Sequence, residues 1–323
     1  MTLRFAQITD HHLAQGDLLW GYSTWHALRA VLRHIAAHAG PLDFIVSTGD
    51  LVEGGSAAEY RVFLDLIGAE PAGASPGPLI ARGEGLPGVP FYVLPGNHDD
   101  RPTMLRSLFP ASPPAVRQGA WAPFSSAPPQ TSPPGPLSAT ERGSRATRGG
   151  GEVRSDGQAR QAHLKPGLSE AAAQPLRLHG WFERGGVRFV CVDWGPANKA
   201  ESTPDLPAFL DAALAGGPAI ILMHHHVAPM GHARLDALIA DDVAAFAERL
   251  AGREVLAILA GHTHATYERS LAGVPVYGLR STCFQFAPLP GDGPLLRCLL
   301  PPHYRIVTVA GGALTTEVVE VPL

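Results

Sequence analysis

"AIILMHHHVAP", residues 219–229, runs five apolar residues into three consecutive histidines. A short apolar run of this kind reads as a buried strand. Six others share its form: "RFAQITD" at 4–10, "FIVSTGD" at 44–50, "FYVLPGNHD" at 91–99, "VRFVCVDW" at 187–194, "VLAILAGH" at 255–262 and "VPVYGLRS" at 274–281. Each is bounded by Gly, Pro or Asp. Helical spacing lies between several of them, at Leu28, Val31, Leu32 and Ile35, at Tyr60, Phe63, Leu64 and Ile67, and in "DDVAAFAERL" at 241–250. Strands alternating with helices imply a layered α/β fold. Strand alternation turns His224 and His226 to one face and His225 to the other, so at most one or two of them serve one site. A solvated strand end is the plain alternative, and the rest of the chain decides.

Composition bounds the answer. The chain has 323 residues, enough for a large core. Its 25 basic and 29 acidic side chains give a net charge of −4, which offers no general attraction to nucleic acid or an anionic membrane. Cys191, Cys283 and Cys298 lack CxxC spacing and read as reduced thiols. "MTLRFAQITD" enters a strand pattern directly, without a leader-like apolar core, and the apolar runs are far below the ~20 residues of a membrane helix. The expectation is a soluble, cytoplasmic protein. Residues 111–176 break the pattern, being rich in Pro, Gly, Ser and Ala with few large apolar side chains. They read as a disordered insertion in a single domain spanning 1–323. The tail "YRIVTVAGGALTTEVVEV", at about 304–321, reads as a hairpin around a Gly-rich turn.

The strand ends carry the chemistry. The first run offers Asp10 and His12, at i and i+2 on one side of an extended segment. The second ends at Asp50, the third offers Asn97 and His98, the histidine strand offers His224, and "GHTH" offers His262 and His264. Sites in open α/β sheets collect outside the carboxyl ends of strands, so these clusters are expected to converge. Gly49, Gly96 and Gly261 stand just before them, where a sharp turn lets backbone approach closely. Oxygen and nitrogen donors without thiolate suit Mn, Fe, Co or Zn. The donors outnumber the needs of one ion, and two ions about 3.5–4 Å apart are the natural count, as used in displacement at phosphorus. Separately, Asp10 and Asp50 read as helix N-caps, Asn97 as a turn residue, and His262 and His264 as a polar strand end. Five such coincidences at matched positions are improbable together.

In this order, "D-x-H" at 10–12, "GD" at 49–50, "GNHD" at 96–99, a strand-closing histidine and "GHTH" at 261–264 resemble the signature of the calcineurin-like metallophosphoesterases. "GNHDDR", "MHHHVAP" and "AGHTHATYERSLAGVPVYGLRSTC" are similar to the bacterial branch of class III cyclic nucleotide phosphodiesterases and glycerophosphodiesterases. The resemblance implies a four-layer αββα sandwich with the tail strands completing one sheet. It implies that Asp10, His12 and His264 hold one divalent or mixed-valence ion, that Asn97, His224 and His262 hold the other, and that Asp50 bridges them. Mn and Fe are the expected metals, with Zn or Co as alternatives. His98 is then a catalytic group that stabilises charge or protonates the leaving oxygen, and a hydroxide bridging the ions attacks phosphorus directly.

Two places depart from the branch. His226 and Val227 stand where two prolines are usual, and His11 replaces a small residue. His226 is read as exposed, with the pocket rim as the alternative. His34 and His38, spaced i and i+4, read as a solvated helix edge. The implied function is hydrolysis of a small phosphodiester, with 3′,5′-cyclic nucleotides first. Glycerophosphodiesterase, phosphomonoesterase and nucleotide pyrophosphatase activities are the alternatives, and a non-catalytic metal-binding scaffold is a distant one. Outside 111–176 no basic stripe interleaved with aromatics suits a nucleic-acid backbone. A homodimer or larger homo-oligomer is the assembly the branch suggests.

Overall fold

The short apolar runs form strands that stack in two sheets. The computed structural model describes residues 2–72, 78–110, 176–288 and 293–323. The sequence-read insertion at 111–176, apart from Leu176, lies outside the described residues. The chain begins β1 (Thr2–Ile8), β2 (Leu18–Leu19), β3 (Tyr22–Ser23), α1 (Thr24–His38), β4 (Phe44–Ser47), α2 (Ala57–Ile67), β5 (Leu79–Ala81), β6 (Val89–Val93) and α3 (Arg101–Leu108). It continues with β7 (Gly180–Arg184), β8 (Val187–Val192), α4 (Leu206–Ala213), β9 (Ala219–Met223), α5 (Ala233–Asp236), α6 (Val243–Leu250) and β10 (Val255–Ala260). The last strands are β11 (Tyr267–Leu271), β12 (Val274–Gly278), β13 (Gln285–Pro288), β14 (Leu295–Cys298), β15 (His303–Ala310) and β16 (Ala313–Glu320).

One six-stranded sheet has the order β16-β15-β1-β4-β6-β5 and the other β11-β12-β10-β9-β8-β7. Strands β1, β4 and β6 are parallel, as are β8, β9, β10 and β12, so within each sheet their carboxyl ends point one way. The β15–β16 hairpin closes at Gly311 and Gly312, both at positive φ, and pairs with β1.

Alternation along the second sheet divides its side chains between two cores. Phe189, Cys191, Ile220, Leu222, Ala257 and Leu259 face the first sheet. Val190, Val192, Ile221, Met223 and Ile258 pack instead with Leu206 and Leu210 of α4 and Phe246 and Leu250 of α6. Five rings fill the space between the sheets. Phe5 stacks on Phe44 at 4.6 Å and meets Phe189 edge-on at 5.3 Å, Phe182 stacks on Phe189 at 4.9 Å, and Tyr92 stacks on Phe182 at 3.8 Å. On the far face of the first sheet Phe63 of α2 meets Phe91 at 5.8 Å, and α1 buries Leu28, Val31, Leu32 and Ile35. The layers are therefore helices, sheet, sheet, helices.

The helices start where their sequences provide caps. Ser23 accepts from the backbone N–H of His26, and Ser56 and Glu59 form a capping box at α2. Neither Asp10 nor Asp50 caps a helix. The three cysteines are free, with Cys191 and Cys283 buried. Among the described residues no helix is long and apolar enough to cross a membrane.

Because Phe189 touches Phe5, Phe44 and Phe182, the cavity left by Phe189→Ala opens onto both sheets. The substitution is expected to cost about 3–5 kcal/mol, measured as a lower urea midpoint at unchanged slope.

Candidate metal centre

Strand ends from the two sheets are tied together by hydrogen bonds that cross the seam. The Gln7 carboxamide donates to the carbonyl of Ala260 at 3.2 Å, His224 Nδ1 to the carbonyl of Thr48 at 2.9 Å, and the His262 N–H to the Asp10 carboxylate at 3.1 Å. The chain reaches these positions by sharp turns. Asp10, His12, Asp50, His262 and His264 all have positive φ, between 46° and 68°. The expectation of an extended segment for Asp10 to His12 is therefore corrected: β1 ends at Ile8, and the chain then bends through left-handed backbone at Asp10 and His12. Non-glycine residues in this region carry strain, and such residues cluster at functional sites. Glycine permits the closest approaches. A Cβ on Gly49, whose φ is 101°, would lie 2.6 Å from His224 Nδ1, and one on Gly96 would collide with the Asp50 side chain.

Five of the seven sequence-read donors, Asp10, His12, Asp50, His224 and His264, cluster together with His98. Their atoms form three overlapping groups, Asp10 with His12 and His264, Asp10 with Asp50 and His224, and His12 with Asp50 and His98, each within 4.8 Å. Asp50 Oδ2 lies 3.4 Å from His12 Nε2 and 3.2 Å from His224 Nε2. Asp10 Oδ1 lies 3.3 Å from His264 Nε2, and Asn97 Oδ1 lies 3.1 Å from His224 Nε2. His262 joins none of these groups. Its ring lies 5.1 Å from that of His224, and its buried Nε2 has no hydrogen-bond partner. His98, read as a non-ligand, stands edge-on to His12 at 4.8 Å with its side chain one-third exposed.

The tautomers test whether these residues fit a cation. His12 Nδ1 lies 2.7 Å from Glu53 Oε2, and His264 Nδ1 lies 2.7 Å from the Phe284 carbonyl. Carboxylate and carbonyl oxygens only accept, so each Nδ1 carries a proton, and in the neutral tautomer Nε2 presents a lone pair. Those two Nε2 atoms are 3.1 Å apart. Two imidazole nitrogens facing each other beside buried carboxylates need a shared proton or a cation between them, and the outward Nδ1 bonds are those that orient metal-binding imidazoles. The residues fit divalent cations.

The electrostatics agree. Burial raises Asp50, but His224 and His12 outweigh it and hold the carboxyl well below its usual range. Burial lowers His224, but Asp50 and Asp10 outweigh it and raise the imidazole to about 9. Burial also opposes charge on His98, yet Asp50 and Glu53 raise it. Burial, reinforced by the neighbouring His225, His224 and His226, pushes His262 well below its ordinary value.

Two readings of the histidine run are corrected. His224, His225 and His226 are all buried, and the His226 ring stacks on His262 at 5.8 Å while its Nε2 donates to the Leu235 carbonyl at 3.0 Å. The alternation fails because β9 stops at Met223, and beyond it all three rings gather around His262. His11 is equally internal, bonded to Thr282 and Ser47. His34 is half-buried, its Nδ1 3.2 Å from the Tyr304 hydroxyl, so it is not merely a solvated edge.

Other residues complete the site without announcing themselves in the sequence. Glu53 holds both His12 and, through its carbonyl, His98 Nδ1 at 3.0 Å. Asp99 accepts from the N–H groups of Leu51 and Gly96 and from the Tyr60 hydroxyl. Burial and the nearby Asp50 push its carboxyl up to about 6. Arg101 braces the same turn, donating to the carbonyls of Gly96 and Asp99 at 2.8 Å and pairing with Asp193 at 2.6 and 3.1 Å. Asp193 closes β8 in the way that the candidate ligands close their strands, which was the available signal.

The order of layers is that expected of a metallophosphoesterase, and residues that could hold a metal gather at the strand ends. Residues 3–266 match the calcineurin-like phosphoesterase family, and the chain belongs to it. Over 108 residues it is 36% identical to the 3′,5′-cyclic adenosine monophosphate phosphodiesterase CpdA of Escherichia coli (strain K12), a match spanning only 33% of each chain. Over 326 aligned positions, covering 98% of this chain and 89% of the relative, it is 26% identical to the protein of the same name from Vibrio vulnificus (strain CMCP6). The fold is also that of the purple acid phosphatase PPD1 from yellow lupin (Lupinus luteus), with a TM-score of 0.54 at 12% identity over 99% of this chain and 52% of that one.

The Arg101–Asp193 pair sets a pH dependence. Burial raises Asp193, but Arg101 outweighs it and lowers the carboxyl from 3.8 to about 2. A depressed acid stabilises the fold above its unfolded value, and that contribution fades as pH falls from about 4 towards 2. Asp193→Asn, which leaves a buried guanidinium unpaired, is expected to cost about 3–5 kcal/mol at pH 7. In urea titrations the gap from the unsubstituted protein should close as pH falls through that window.

Proposed function

We propose that this chain hydrolyses small phosphodiesters, with 3′,5′-cyclic nucleotides as its substrates. The observation that carries the reading is the pair of Nε2 atoms of His12 and His264 facing each other at 3.1 Å, beside the buried carboxylates of Asp10 and Asp50. Membership of a phosphoesterase family supports a phosphoester as the partner of such a pocket. The names of the E. coli and V. vulnificus relatives support the diester and the cyclic nucleotide.

Asp10, His12 and His264 would hold one ion, Asn97, His224 and His262 a second, and Asp50 both. Manganese and iron are the favoured pair for this oxygen and nitrogen donor set, with zinc or cobalt as alternatives. Bound there, such ions supply positive charge to the phosphoryl oxygens and make water acidic enough to attack phosphorus near neutral pH. The chain's own residues do the rest. Glu53, the Phe284 carbonyl and the Thr48 carbonyl hold three imidazoles in the tautomer that turns Nε2 inward. His98 stands at the open side of the site, and its Nδ1 bond to the Glu53 carbonyl leaves Nε2 to donate a proton to the departing alkoxide. The proposal takes residues 1–323 as one domain working in the cytoplasm, where free thiols such as Cys191 stay reduced.

Two substitutions separate the roles. His98→Ala is expected to keep its metal content by elemental analysis while losing about 10²–10⁴-fold in kcat. Asp50→Asn is expected to lose metal and at least about 10²-fold in turnover together. Full metal content and full hydrolysis in Asp50→Asn would remove Asp50 from the centre. Chelator-stripped protein refilled with manganese should prefer bis(p-nitrophenyl) phosphate to p-nitrophenyl phosphate, and the reverse preference would make the chain a phosphomonoesterase.

A further inference from the structure

The hairpin formed by β2 and β3 turns on Trp20 and Gly21, with φ of 48° and 86°. Two-residue hairpin turns with positive φ at both positions are filled by preference with Asn-Gly or Asp-Gly. Gly21 suits its place. A bulky residue at positive φ is an outlier, and Trp20 is also 48% exposed. Neither backbone geometry nor burial explains a tryptophan here, and an outlier of this kind points to a use for the side chain.

The indole is nevertheless held in place. The Arg297 guanidinium, on β14, lies 3.6 Å from the centre of its ring, and Phe284 meets it edge-on at 4.9 Å. Phe284 lies 5.3 Å from the His12 ring and 4.5 Å from the His264 ring, and its carbonyl accepts a hydrogen bond from His264 Nδ1. One aromatic ring thus separates Trp20 from the candidate metal centre. Ring-to-ring steps of 4.9 and 4.5 Å lead from Trp20 through Phe284 to His264, close enough for a nucleoside held by its phosphate at the centre to extend towards the indole. An exposed aromatic surface beside an exposed guanidinium suits the π-face of a nucleobase. An aliphatic alcohol such as glycerol offers no such face.

We propose that Trp20, backed by Arg297 and Phe284, binds the nucleobase of the substrate and makes the chain selective for diesters that carry one. This rests on the phosphodiesterase reading above.

The test compares the manganese-loaded protein with Trp20→Ala and Trp20→Phe on 3′,5′-cyclic AMP and on glycerophosphoethanolamine, an aliphatic diester. Loss of one base-stacking contact corresponds to about 5- to 150-fold in affinity. Trp20→Ala is expected to raise KM for cyclic AMP by such a factor and to lower the ratio of kcat/KM between the two substrates equally, with Trp20→Phe restoring most of it. Calorimetric binding of 5′-AMP, which needs no turnover, should weaken by the same factor. Parallel losses on both substrates, or an unmoved ratio, would overturn the proposal and leave Trp20 a purely structural residue. Wild-type protein that hydrolyses the aliphatic diester but neither binds 5′-AMP nor cleaves cyclic AMP would overturn it while the phosphodiesterase reading stood. Trp20-dependent binding of 5′-AMP without hydrolysis of either diester would support the base site and sink that reading.

Discussion

Asp10 and Asp50 are almost wholly buried where the two sheets meet. An ionised carboxylate taken out of water is costly unless neighbouring groups replace its hydration and balance its charge. Both kinds of compensation are present. The N–H groups of His262 and His98 donate to the two carboxylates, and the imidazoles of His12, His224 and His264 crowd around them. Much of the local architecture serves this arrangement. The left-handed turns aim backbone N–H groups inward, and Gly49 and Gly96 keep those turns close enough to do so.

A second layer of buried polar groups holds the turn that carries Asn97 and His98. Arg101 binds two carbonyls of that turn and reaches into the second sheet to Asp193, whose other partners are the N–H groups of Leu178 and Gly195. Asp99 joins the same turn to Leu51 and Tyr60. Each member has partners for most of its polar atoms, the condition under which a buried network rigidifies a site. Two residues of a surface-facing loop are thereby anchored to both sheets.

The main strands and helices were legible because their side chains follow periods of two and 3.6. The runs around Phe5, Phe44, Phe91, Phe189, Ile221 and Ile258 all form strands, and the spacing from Leu28 to Ile35 and from Tyr60 to Ile67 forms helices. Strands β5, β7 and β11 of the two large sheets were missed, as were the short pairs β2–β3 and β13–β14; β5 has three residues, and β11 pairs by its backbone while most of its side chains are exposed. The donor residues were legible by type and by their places at strand ends. Their backbone shape was not, because periodicity stops with the strand: alternation beyond Met223 pointed His225 away, whereas its ring packs on His262 at 4.7 Å. Glu53, Arg101 and Phe284 gave no local signal, since each acts on a residue brought near only by folding.

The sequence separations across the seam bear on how the protein matures. The Asp10 bond to His262 and the contact of His12 with His264 each join residues 252 positions apart, and His224 meets Thr48 across 176. Closing such loops comes at an entropic cost that only the packed sheets repay. A chain emerging from the ribosome holds Asp10 and His12 long before it holds His262 and His264. The candidate metal-binding cluster is therefore incomplete until the second sheet has docked. Assembly of that cluster is in this way deferred to the finished fold, and a chain that stalls part-way holds it only in separate pieces.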